Sequence, residues 1–66
     1  MLLGTVQWFN DSKGFGSILA EGGAEVHVHF SAIRGDGLRT LARGEEVQFE
    51  IRETERGLQA ANVVRN

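Results

Sequence analysis

Between residues 46 and 52 the chain alternates without a break: Val47, Phe49 and Ile51 fall on one side, Glu46, Gln48, Glu50 and Arg52 on the other. A period of two predicts a half-buried strand. Residues 25–30 repeat the pattern, with Val26, Val28 and Phe30 set against Glu25, His27 and His29. Shorter runs predict three more strands, over residues 2–9, 15–19 and 58–64. Turn-forming residues separate them: Asn10-Asp11-Ser12-Lys13-Gly14, Ala20-Glu21-Gly22-Gly23-Ala24 and Thr54-Glu55-Arg56-Gly57. Ser31 is placed to cap one helical turn through Ala32, Ile33 and Arg34, which Gly35-Asp36-Gly37 then breaks. The stretch from 31 to 45 is long for a small domain, and long loops of this kind are often functional. Five short strands joined by turns predict an all-β barrel or sandwich.

The length of 66 residues allows one domain, residues 1–66. Without cysteine the chain has neither a disulfide nor a thiolate-bound zinc to staple it. A closed barrel suits such a chain because it leaves few sheet edges. The N-terminal residues lack a basic stretch followed by an apolar run, and no apolar segment approaches the ~20 residues of a membrane span. The expectation is a soluble, cytoplasmic monomer with no membrane partner.

Charge complicates a nucleic-acid reading. The net charge is −2, and residues 1–33 hold a single lysine or arginine, Lys13, against Asp11, Glu21 and Glu25. No basic stripe for a duplex backbone is visible. If the partner is a nucleic acid, stacking on rings has to supply much of the affinity. The outward positions offer such rings. Phe15 and Ser17 share the side opposite Ile18, and His27 and His29 the side opposite Val26 and Val28. Trp8 and Phe9 are neighbours, so a regular strand cannot bury both. If the first three strands form a meander, Trp8, Phe15, His27 and His29 meet on one solvent-facing patch, flanked by Lys13 and Arg56. Unpaired bases stack on such a surface. Phe30 and Phe49 align with valines and read as core, although Phe30 ends its strand where the ring can reach the rim.

Four stretches, in order, carry a family pattern: Gly4-Thr5-Val6-Gln7-Trp8-Phe9-Asn10, Lys13-Gly14-Phe15-Gly16-Ser17-Ile18, Val26-His27-Val28-His29-Phe30-Ser31-Ala32-Ile33 and Gln59-Ala60-Ala61-Asn62-Val63. Over essentially its whole length the chain resembles the bacterial cold-shock proteins, and the middle two stretches resemble that family's ribonucleoprotein motifs. The resemblance implies a five-stranded antiparallel OB-type β-barrel that binds single-stranded RNA or DNA, preferably pyrimidine-rich. It also implies an RNA chaperone or a regulator of transcription or translation. The expected contact residues are Trp8, Lys13, Phe15, His27, His29, Phe30 and Arg56, with Gln7, Phe9, Asn10, Ser17, Leu38, Leu58 and Gln59 as weaker candidates.

The departures from the family lie mostly on the binding side. Ser17 and His27 stand where the family usually has phenylalanine, Leu38 replaces a loop aromatic, Gln7 a basic residue and Leu58 a proline. Stacking is worth on the order of 1–3 kcal/mol per base, so affinity is expected roughly ten- to thousandfold below that of a fully aromatic relative. Two readings of the histidines stand side by side. Unperturbed imidazole titrates near ~6.5, so the pair can add positive charge in mild acid and strengthen binding, or both can be solvated strand residues with no such role.

Other chemistry finds less support. Glu25, His27 and His29 share one side at strand spacing, but a metal site needs further ligands that the sequence does not identify. No cofactor or metal is expected. The nucleophile and phosphate-loop motifs of common enzymes are absent. Lys13-Gly14-Phe15-Gly16 leads into a strand, not a helix that could receive an anion at its N-terminus. Asp11, Glu25 and Asp36 have no spacing that would gather them into a nuclease centre. Glu45, Glu46 and Glu50 read as a solvated strand edge that discourages sheet-to-sheet association. The chain therefore reads as a non-enzyme. The alternative to a nucleic-acid binder is a degenerate cold-shock domain that serves as a protein-interaction or purely structural module, which Ser17 and Leu38 favour.

Overall fold

The computed structural model describes residues 1–35, 37 and 39–66. Five strands, β1 (Leu2–Asn10), β2 (Phe15–Ala20), β3 (Glu25–His29), β4 (Glu46–Thr54) and β5 (Gly57–Arg65), close into a barrel in the order β1-β2-β3-β5-β4, with β4 returning to β1. The strands expected from alternation are all present, each within a residue or two of its expected ends. Pairing is antiparallel between β1 and β2, β2 and β3, β4 and β5, and β1 and β4. The closure between β3 and β5 departs from the antiparallel expectation: it is parallel, through His27 and Gln59. Among the described residues no helix is long and apolar enough to cross a membrane.

Inward-pointing aliphatics fill the barrel. Val6, Ile18, Val26, Val28, Val47 and Val63 are all but completely buried around Phe49, and the long loop adds Ile33 and Leu41. Burying one such side chain contributes about 1.5–3 kcal/mol, against a total of roughly 3–10 kcal/mol for a chain of this length. Few of them can be spared. Gly4 belongs to the same packing: a Cβ there would lie 2.6 Å from Ile18 Cγ2 and 2.8 Å from the Phe49 ring.

Two expectations about local structure need correction. The helical turn is a 3₁₀ turn at Phe30–Ala32, two residues earlier than Ser31 as its cap would place it. His29 caps it instead, its ring nitrogen Nδ1 accepting from the Ser31 backbone N–H at 3.3 Å. The chain therefore leaves the strand before Phe30, whose ring is 41% exposed at the rim, not buried with the valines. The acids on β4 do not line an edge either, because the closed barrel pairs β4 on both sides. Glu46 is engaged with the Asn66 amide and Glu50 with the Asn62 amide, and Glu45, just before the strand, pairs with Arg65 at 3.0 Å.

A bulge in β1 decides which rings reach solvent. Val6 pairs with Ile18 and Trp8 with Ser17, leaving Gln7 as an extra residue without a partner on β2. One inserted residue reverses the inward–outward alternation beyond it. Trp8 turns out, and Phe9 turns in, half-buried against the core.

Candidate nucleic-acid interface

Register places the outward side chains of three strands in two rows. In one row Trp8 lies opposite Ser17 and Ser17 opposite His27, and the parallel closure carries the row on to Gln59. In the other, Asn10 lies opposite Phe15 and Phe15 opposite His29. The rings touch across the rows. Trp8 and Phe15 meet edge to face at 5.8 Å between centroids, and His29 tilts over Phe30 at 4.6 Å. Trp8, Phe15 and Phe30 keep 43%, 39% and 41% of their surface in water, and both histidines are exposed. The expected patch of Trp8, Phe15, His27 and His29 is thus one continuous surface, and Phe30 extends it.

Glycine makes the tight approaches possible. Gly14 adopts φ +75°, closing the turn after β1, and lies under the Phe30 ring: a Cβ there would be 2.7 Å from Phe30 Cδ1. Gly16 lets β2 run close beneath the bulge, where a Cβ would fall 2.3 Å from the Trp8 carbonyl oxygen. Lys13 N–H donates to Asn10 Oδ1 at 3.0 Å, which fixes the turn that presents the lysine.

A groove of about 480 Å³ runs along this side, lined by Phe15, His27, His29, Ser31, Arg56 and Gln59 among others. Arg56, on the β4–β5 hairpin, thereby joins the rings although it is distant from them in sequence. The cation and the flat apolar surfaces together suit a base with its phosphate.

The weaker candidates separate. Asn10 and Gln59 are exposed beside the rings. Gln7 is half-buried. Phe9 and Leu58 are half-buried and pack against the core. Leu38 lies outside the described residues. Ser17 has the outward parity expected of it, yet only 1% of its surface is accessible. Its Oγ lies 3.1 Å from both Gln7 Oε1 and Glu25 Oε2, two side chains that close over it. The middle of the first row is therefore a polar lid between Trp8 and His27, not an open serine. Glu25 is drawn into that lid. Among the described residues no three His, Cys, Asp or Glu side chains converge as a metal ion would require, and Asp36 lies outside them.

Two cations that the sequence reading passed over border the face. Arg52 stands opposite Gln59 and extends the first row onto β4. Arg39 lines a hollow with Lys13 and Phe30. The alternation placed Arg52 outward but could not say which strand lay beside it, and nothing local ties Arg39 to a turn so far back in the chain.

The family pattern described as the "'Cold-shock' DNA-binding domain" matches residues 2–66. The cold shock-like protein CspD of Bacillus cereus is 61% identical over 66 residues, covering all of both chains. The cold shock protein CspD of Bacillus subtilis is 60% identical over 62 residues, 94% of each chain. The cold shock protein CspB of Bacillus caldolyticus is 57% identical over 65 residues, 98% of each.

Proposed function

This chain belongs to the cold-shock DNA-binding domain family, a family of nucleic-acid-binding domains and not of enzymes, and from that premise we propose that it binds single-stranded RNA or DNA by stacking unpaired bases on Trp8, Phe15, Phe30, His27 and His29. Lys13 and Arg56 meet the phosphates between those bases. The reading extends to a cytoplasmic monomer that keeps transcripts unpaired, as an RNA chaperone or as a regulator of transcription or translation, with a preference for pyrimidine-rich stretches.

One observation carries it: three large rings stand about two-fifths exposed on the same side of a barrel whose core is complete without them. Leaving rings in water forgoes about 25 cal/mol for each Å² that burial would have removed, which a domain of marginal stability offsets elsewhere. Their edge-to-face and tilted contacts hold them in place, so little ordering is needed when a base arrives. A net charge of −2 fits a partner held mainly through base faces.

Trp8 reports on its own site. Titrating the protein with oligothymidine or oligouridine should quench its fluorescence, with weaker quenching by oligoadenosine of equal length. The affinity should be roughly ten- to thousandfold below that of a relative with a complete set of rings. No change in emission at high oligonucleotide and low salt overturns the proposal in favour of an interaction module; nanomolar binding overturns the reduced affinity alone.

A further inference from the structure

A second hollow, of about 250 Å³, opens beside Phe30 and is lined by Asp11, Ser12, Lys13, Gly14, Phe30 and Arg39. Its two cations come from opposite parts of the chain, Lys13 from the β1–β2 turn and Arg39 from the loop that precedes β4. The fold ties those parts together next to the hollow. The Thr40 hydroxyl donates to the Asp11 carboxylate, and the Arg65 guanidinium donates to the Thr40 carbonyl. Arg39 is thus held one residue from an anchored point. The same bond occupies Asp11, the one acid in the lining, while Lys13 Nζ and the Arg39 guanidinium have no partner among the described residues. The hollow has two free cations, one engaged carboxylate and one wall made by an aromatic ring.

We propose that this hollow seats a backbone phosphate of the bound single strand, gripped by Lys13 and Arg39 together, next to the base that lies on Phe30. The proposal rests on the single-strand-binding reading above and adds to it a second cation and a location. A guanidinium presents two parallel N–H donors to phosphate oxygens, and the ammonium adds a compact charge beside it. The Phe30 ring keeps one wall apolar, so the sugar and base have a surface to follow as they leave the phosphate.

Salt dependence tests this, because each phosphate contact on a single strand contributes about 0.7 to the slope of log affinity against log salt. Oligothymidine binding is measured by Trp8 fluorescence over a range of salt for the wild type and for Arg39→Ala, Lys13→Ala, the double variant and Arg43→Ala. Arg39→Ala and Lys13→Ala should each weaken binding roughly two- to fivefold, as exposed ionic contacts do, and each should make the slope shallower by up to about 0.7. The double variant should lose less than the product of the two single losses, since both residues serve one phosphate. Arg43→Ala should change neither quantity. Circular dichroism should show all variants folded, because among the described residues neither cation has an intramolecular partner to lose. If Arg39→Ala binds with wild-type affinity and slope while Trp8→Ala, followed by electrophoretic shift, abolishes binding, the phosphate seat is wrong and the stacking face stands. If the wild type itself fails to bind, both fall together.

Discussion

Val6 and Trp8 stand two residues apart on β1, yet Val6 is 1% exposed and Trp8 43%. In an unbroken strand they would share a side. The bulge at Gln7 separates them, so a single inserted residue both completes the core and supplies the ring that bases meet. Binding and stability should therefore come apart on mutation. Trp8→Ala should abolish measurable oligothymidine binding while costing less than about 1 kcal/mol of stability, the range of surface changes. Phe49→Ala, inside the barrel, should cost about 3–5 kcal/mol and leave much of the chain unfolded. Binding followed by electrophoretic shift and stability by urea unfolding check the pair; comparable loss of stability in both variants would contradict the assignment of the two rings.

Gly16 sits where the bulge leaves least room. Adding a methyl group sets a carbon 2.3 Å from the Trp8 carbonyl oxygen and 2.8 Å from Phe9 Cδ1, and the backbone atom has nowhere to retreat. Gly16→Ala should destabilise the protein by about 1–3 kcal/mol, the range of overpacking, and shift the emission of Trp8 in the folded state. An unchanged melting temperature would show that β1 and β2 approach less closely than described.

Ser17 offers a change in the opposite direction. Gln7 and Glu25, which cover it, are long side chains at the surface and can swing aside. Ser17→Phe should complete the first row between Trp8 and His27 and tighten single-strand binding by about 1–3 kcal/mol, roughly five- to 150-fold. Ser17→Ala should leave affinity unchanged and stability within about 1 kcal/mol, since both partners recover water as a partner. Fluorescence titration distinguishes the two. A Ser17→Phe variant that folds and binds no better would remove stacking across this row as the source of affinity.

The two histidines are not equivalent. His29 Nδ1 accepts the Ser31 N–H and lies 2.8 Å from Ser31 Oγ, so this ring also caps the 3₁₀ turn. His27 has no such bond among the described residues. It faces Ser17 on β2 and Gln59 on β5, has Glu25 and His29 as neighbours on its own strand, and shares the groove with Arg56. His27→Ala should therefore weaken oligothymidine binding and leave the 3₁₀ turn as it is, while His29→Ala should lose both a stacking ring and the cap of that turn. Fluorescence titration together with thermal unfolding checks the pair; equal effects of the two variants on both readouts would refute the distinction.

The strands were legible because β4 and β3 alternate so regularly that Phe49, Val26 and Val28 could be assigned inward before any contact was known. The outward patch was legible for the same reason, and the four matching stretches named the family. What the sequence concealed came from contacts between distant segments. Nothing local marks Gln7 as an inserted residue, since the bulge exists only relative to β2. The parity of Ser17 was right and its accessibility was not, because Gln7 and Glu25 come from two other strands to cover it. Glu46 and Glu50 looked like an edge because closure of the barrel is invisible in a single strand. Ser31 looked like a helix cap, but His29, two residues earlier, reaches the same N–H with its ring.

The barrel is joined between β3 and β5 by the His27–Gln59 pair, and among the described residues a single further parallel bridge, from Ile33 beyond β3 to Val63, supports it. This is the thinnest stitch in the wall, and the groove lined by His27, Arg56 and Gln59 lies directly over it. A strand of bases resting there spans the joint like a clasp, gripping both lips at once. Loaded protein should open more slowly than empty protein, and the place where it opens should move to another part of the wall.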